Sequence, residues 1–357
     1  MKKRILPLFC CLVILSGCGL FNQSDNHDDS RAVYSQNRKK TSSAKVRSYA
    51  GQKSIRNYVR NDPSINLKCR EESKKKKKIQ FIMPDKSVKT ITLEEMKRNF
   101  PVHQVEIFEW NSKSVQKYNG FRFNDILTYV YGDIWQEKED LKFVASDGYS
   151  PILPVQSFRE LPGFLTFERT DGKAFAINVT ESDEGCVPLG PFSLVWDNIR
   201  KEKLFIEKKL KTSSPYQLIK VGFNSFKETY KKISPSEAGS EEVHEAFSEF
   251  AHTCLKCHTY NGVGGKKGGE IRTYLKKAYT TEKGDLDKEK LNTLIMDPRK
   301  KYILYDMKNG VTENAVPDFA MPAYESLIGE EKAEKLARQV ILYLSAMEPV
   351  LDKRPAD

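Results

Sequence analysis

The hydrophobic and polar positions of this chain fall into stretches of distinct texture. Met1-Lys2-Lys3-Arg4 precedes an almost unbroken apolar run from Ile5 to Leu15, too short to span a bilayer as a helix. From Gly19 to about Lys77 apolar residues are sparse, and Ser, Asn, Asp, Lys and Arg dominate. Such a segment cannot bury enough surface to offset its ordering entropy. Periodic patterns begin at Ile79. Ile79-Gln80-Phe81-Ile82 reads as a strand, Thr92-Leu93-Glu94-Glu95 as a capping box opening a helix, and Val105, Ile107 and Glu109 as an alternating strand. Asn119-Gly120, Asp147-Gly148 and Asp171-Gly172, each flanked by apolar or aromatic residues, predict tight turns. Asn124 is placed to cap a helix through Ile126, Leu127 and Val130. Strands mixed with short helices predict an α+β domain over residues 79–235.

A helical texture follows from Gly239. Ser240 is placed to cap a helix whose first turn holds Glu241 and Glu242, favourable at the positive end of the helix dipole. Val243, Ala246, Phe247, Phe250 and Ala251 then share one face, as do Ala333, Leu336, Ala337, Val340, Ile341 and Leu344 near the C-terminus. Leu291, Leu294 and Ile295 predict a further helix stopped before Pro298. These elements predict a second domain over residues 239–350.

The chemistry lies in Cys254-Leu255-Lys256-Cys257-His258, at the end of the first of these helices. Two thiols separated by two residues can each form a thioether to one vinyl group of a single porphyrin, and the adjacent histidine falls on one face of the ring, where it can ligate iron. A bare C-x-x-C leaves zinc binding and thiol–disulfide exchange open; His258 narrows the choice to one covalent haem c. The chain start agrees. Leu15-Ser16-Gly17-Cys18 resembles the end of a bacterial lipoprotein signal, which implies a signal peptide over residues 1–17, acylation of Cys18 and a lipidated, largely disordered tether over residues 18–78. Haem c is attached outside the cytoplasmic membrane, so the expected location is extracytoplasmic and membrane-anchored. Gly19 after the acylated cysteine favours the outer membrane of a two-membrane host.

Seven cysteines are then nearly accounted for. Cys10 and Cys11 leave with the signal, Cys18 takes lipid, and Cys254 and Cys257 take haem. Cys69 and Cys186 remain, either paired in an oxidising compartment or present as two free thiols. The formal charge of +11 falls by three, to +8, when Lys2, Lys3 and Arg4 are removed. A basic surface attracts nucleic acid, anionic lipid or acidic proteins, and export argues against nucleic acid. Lys74 to Lys78 reads as a solvated linker run. Lys256, Lys266 and Lys267, beside the attachment motif, are candidates for presenting charge to an acidic redox partner.

Residues 239–348 resemble the class I c-type cytochromes. An N-terminal helix leads into the C-x-x-C-H run, then come the glycine-rich Asn261-Gly262-Val263-Gly264-Gly265, a helix before Asp297-Pro298, the pair Met321-Pro322 and a closing amphipathic helix. The resemblance implies an all-α cytochrome c domain with crossed terminal helices, Phe247 and Tyr343 being candidates for their contact. It implies His258 and Met321 as the axial ligands, Met321 lying 63 residues beyond His258, with Met307 and Met296 as rivals. A thioether is soft and neutral and stabilises ferrous iron. Many members carry a proline after the glycine loop whose carbonyl holds the histidine Nδ1 proton. Here the chain reads Lys266-Lys267-Gly268-Gly269-Glu270, so a backbone carbonyl near Gly269 is the expected substitute.

Residues 79–230 resemble the molybdopterin-binding fold of sulfite oxidase-like oxidoreductases, in Tyr118-Asn119-Gly120, Asp147-Gly148-Tyr149 and Gly190-Pro191-Phe192 leading to Val195-Trp196. That family holds molybdenum on a cysteine thiolate. The segment looks shorter than a complete cofactor domain, Cys69 precedes its first strand, and Cys186 comes late. It reads as a degenerate, docking version without molybdopterin. The expected whole is a membrane-anchored monohaem carrier passing single electrons between redox proteins. The alternatives are a molybdenum oxidoreductase feeding its own haem and a haem-based gas sensor.

Overall fold

The computed structural model describes Cys69 and residues 77–178, 186–207, 210, 213–281, 284–298 and 321–351. All of these belong to one compact unit. The apolar run, Cys18, Gly19 and the tether apart from Cys69, Lys77 and Lys78 lie outside the described residues, as does Met307. No described helix is long and apolar enough to cross a membrane.

The first part of the chain alternates strands and short helices: β1 (Lys78–Ile82), β2 (Val88–Thr92), α1 (Leu93–Asn99), β3 (His103–Glu109), β4 (Ser114–Arg122), α2 (Phe123–Tyr131), β5 (Asp140–Ala145), β6 (Ile152–Pro154), α3 (Val155–Glu160), β7 (Gly163–Arg169), β8 (Ala176–Asn178), β9 (Cys186–Pro188), β10 (Ser193–Trp196), α4 (Glu202–Glu207), β11 (Leu218–Asn224) and α5 (Phe226–Tyr230). They build a five-stranded sheet of order β2-β1-β11-β5-β6, a four-stranded sheet of order β10-β7-β4-β3 and the β8-β9 pair. β1 and β11 run parallel, whereas the other pairings of both large sheets are antiparallel. Aromatic rings fill the main core: Phe158 lies 4.8 Å from Trp196, and Phe121 stacks on Phe167 at 5.0 Å.

Local sequence signals hold where the chemistry is local. Thr92 caps α1 by accepting from the Glu95 N–H at 3.2 Å. Gly148 and Gly172 turn the chain at φ +90° and +70°. Val105, Ile107 and Glu109 all face inward along β3. Two signals fail. Asn119-Gly120 is strand, not turn: β4 pairs on both edges, and the register shift at Asn119/Gly120 falls where a Cβ on residue 120 would sit 2.9 Å from the Leu165 carbonyl oxygen. Asn124 does not cap α2, whose N-cap is Arg122; its side chain instead donates to the Phe158 carbonyl at 2.9 Å.

The later part runs α6 (Glu241–Thr253), β12 (His258–Tyr260), β13 (Val263–Gly264), β14 (Gly269–Glu270), α7 (Ile271–Ala278), α8 (Lys288–Met296), α9 (Tyr324–Ile328) and α10 (Glu330–Leu351). Ser240 caps α6. Phe247 on α6 meets Tyr343 on α10 with ring centroids 5.4 Å apart. The all-α expectation for residues 239–350 is nevertheless wrong. A three-stranded sheet of order β13-β12-β14 interrupts the helices. The chain is mixed α/β with several sheets, not an α+β domain followed by an all-α cytochrome domain. Strands of two or three residues leave no periodicity in a sequence; backbone pairing alone defines them.

Candidate functional site

The C-x-x-C-H segment begins where α6 ends. Cys254 is the C-cap, its N–H bonded to the Phe250 carbonyl at 2.8 Å. Cys257 and His258 then both donate to the Cys254 carbonyl, at 3.2 and 2.9 Å. The chain thus makes one more tight turn before it straightens into β12. Neither cysteine forms a disulfide. Both residues are only partly covered, yet their sulfur atoms are enclosed. Burial pushes the Cys254 thiol up to about 12, and that of Cys257 also rises. The charge of Cys257 adds to the shift at Cys254, so the two sulfurs sit within each other's electrostatic reach.

The glycine-rich loop closes over this turn. Asn261 and Gly262, both at positive φ, form the hairpin between β12 and β13. Gly265 donates to the Leu255 carbonyl at 2.8 Å and Gly268 to the Cys257 carbonyl at 2.7 Å. These approaches leave no room for side chains: a Cβ at residue 265 would lie 2.1 Å from the Lys256 carbonyl oxygen, and one at residue 268 only 2.4 Å from the His258 ring. Glu270, which sequence reasoning missed, ties the loop together. Its carboxylate accepts from the Asn261 and Gly262 N–H groups at 2.9 and 3.1 Å while capping α7.

His258 pairs in parallel with Gly269 across β12 and β14. Burial lowers its pKa, whereas the backbone of Gly269 and of Gly268 and the charge of Glu270 raise it. The expected acceptor region near Gly269 is therefore beside the ring, but buried Nδ1 makes no hydrogen bond of regular geometry. Tyr274 stands edge-on to the imidazole at 6.4 Å.

Met321 packs against the core that contains Leu255, Tyr260 and Tyr324, as does the attachment residue Cys254. Its rival Met296 is 9 % exposed at the end of α8, within the same core. Tyr324, three residues after Met321, is buried with its hydroxyl in a region shared with Cys254, Cys257 and Tyr149, and burial raises its pKa well above that of an ordinary phenol.

The three lysines have unexpected surroundings. Lys256 is 6 % exposed and donates to the Ser213 hydroxyl at 2.8 Å. Lys267 pairs with Asp147 at 2.8 Å. Two of the three charges proposed for an external partner thus face the chain's own residues.

Cys69 and Cys186 are joined in a disulfide, with Cα atoms 6.6 Å apart and 117 residues between them in sequence. Both thiols that could have held molybdenum are consumed by this bond, so the residues present do not fit a thiolate-bound molybdenum centre. They do fit a haem: two enclosed thiols one turn apart that form no disulfide, followed directly by the partly buried imidazole of His258. Among the described residues, no group of three or more His, Cys, Asp or Glu side chains converges as for a metal held by protein alone. A haem iron needs no such group, because the porphyrin supplies four of its ligands. No protein-family model matches this chain, and no curated protein matches it.

Proposed function

We propose that this chain carries one haem c on Cys254 and Cys257, with His258 and Met321 as axial ligands, and serves as an electron carrier. The reading holds that Cys18 is acylated and the protein works outside the cytoplasmic membrane. The observation that carries it is the pair of unbonded, enclosed thiols beside His258 at the end of α6. The bound group supplies reversible one-electron exchange at its iron. The chain supplies the rest. Cys254 and Cys257 fix the porphyrin to the helix end. His258 would present to the metal an imidazole whose neutral form burial favours. Gly268 packs closely against that ring, and Met321 would offer a neutral sulfur that favours the reduced state. The partners would be redox proteins, and with His258 and Met321 both holding the iron the group would exchange electrons rather than bind substrate.

Purification of the mature protein from its own host, with iron, molybdenum and pyridine haemochrome assays, tests the reading. One haem c per chain without molybdenum is expected. Comparable iron and molybdenum refutes the carrier role in favour of an oxidoreductase. In the loaded protein, Met321→Ala should alter the low-spin spectrum; an unchanged spectrum moves the sixth ligand to Met307 or Met296.

A further inference from the structure

The Asp147-Gly148 turn between β5 and β6 reaches the attachment segment directly. The Ser150 N–H donates to the Lys256 carbonyl at 2.7 Å, and the Lys266 N–H donates to the Gly148 carbonyl at 2.9 Å. The ammonium of Lys267 reaches Asp147 at 2.8 Å, and that of Lys256 reaches Ser213 at 2.8 Å. Gly148 is required here: at φ +90° its Cβ would also lie 3.0 Å from the Lys267 nitrogen. Just beyond, Ile152 of β6 belongs to the same buried cluster as Leu255, Phe250 and Tyr260. Tyr149 is the residue between the two backbone bridges, so its position is fixed from both sides.

We propose that the Asp147–Ser150 turn is a wall of the haem site and that Tyr149 is a positioning residue for the haem. This inference rests on the haem reading above. Tyr149 as a whole is half-buried, but its hydroxyl is enclosed. That hydroxyl is within electrostatic reach of Cys257 and Tyr324, and the backbone on both sides of Tyr149 is bridged to the attachment segment. The turn keeps water away from the attachment segment on the side it covers. Excluding water disfavours the extra positive charge of ferric iron, so a docked turn raises the potential and a displaced one lowers it. The sheets that precede the attachment motif then belong to the redox centre itself.

The test compares full-length, haem-loaded wild type with Tyr149→Phe and Gly148→Ala. The readouts are haem per chain, circular dichroism, the absorption spectrum and the midpoint potential. Tyr149→Phe keeps the ring and the fold, and is expected to retain one haem per chain while shifting the potential. Gly148→Ala is expected to lower the potential further. Loaded Tyr149→Phe with the wild-type potential and spectrum overturns the proposal, whatever Gly148→Ala does. Wild type without covalent haem overturns the haem reading instead, a distinct and separately visible failure.

Discussion

Gly265→Ala is the most informative single perturbation of the attachment loop. Its φ is ordinary, so the cost is not one of backbone conformation. A Cβ at this position would lie 2.1 Å from the Lys256 carbonyl oxygen, 2.7 Å from the Lys256 carbonyl carbon and 3.2 Å from the Cys257 carbonyl carbon. All three are backbone atoms, so no side-chain rotation relieves the overlap. The loop must lift, and three hydrogen bonds lift with it: Gly265 to Leu255 at 2.8 Å, Lys266 to Gly148 at 2.9 Å and Gly268 to Cys257 at 2.7 Å. At about 1 kcal/mol net each, their loss costs about 3 kcal/mol before any packing is counted. Gly262→Ala is the control. That residue has φ +75° and nothing within 4 Å of its Cβ, so its cost is conformational, about 1 kcal/mol. Urea denaturation of the full chain, followed by tryptophan fluorescence and circular dichroism, measures both. If Gly265→Ala destabilises no more than Gly262→Ala, the loop is not seated on the attachment turn and the argument for the site's geometry fails.

The Cys69–Cys186 bridge closes a loop of 117 residues, for which chain entropy predicts a stabilisation of roughly 4–5 kcal/mol; Cys69→Ser should lose most of it in the same denaturation assay, and reduction should do nothing further to that variant. Glu109 is 5 % exposed, and burial raises its carboxyl pKa despite hydrogen bonds from Tyr216 and Asn111. The folded form therefore holds this proton more tightly than the unfolded chain. Its contribution is fully present below the unfolded value near 4.5 and is lost as pH climbs through the raised native value. Glu109→Gln should flatten that fall, and a stability-against-pH curve identical to wild type refutes the assignment. Lys256→Met keeps the buried stem but removes the charge and its bond to Ser213; the attachment turn should survive with a loss of about 1–3 kcal/mol, read by thermal unfolding.

How much of this was legible in the sequence depended on the range of the interaction. The Thr92 and Ser240 caps needed three residues of context, and both are where the residue types put them. The C-x-x-C-H run and the amphipathic faces of α6 and α10 were equally local. Asn119-Gly120 misled because a turn dipeptide is also what a close strand crossing selects, and only the distant Leu165 distinguishes the two. Lys256 was read as a surface charge because nothing near it in sequence announces Ser213, 43 residues earlier. Tyr149 gave no hint of this neighbour: its turn is predicted locally, but the object it turns toward lies more than a hundred residues away. The strands around His258 were missed for the opposite reason, being too short to impose any period.

The disulfide also has a mechanical meaning. β1 is an inner strand, paired on one edge with β2 and on the other with β11. A tug from the N-terminal side that reached Lys78 would load the end of that strand and open its hydrogen bonds one at a time, the easiest way to unravel a sheet. The Cys69–Cys186 bond intercepts the load first and passes it to β9, on the separate β8-β9 ribbon. The sheet that carries the Asp147 turn is spared the strain. On the proposed reading of a chain anchored by its leading end, the turn around the C-x-x-C-H segment would stay in register while the bond is intact, and lose that protection on reduction.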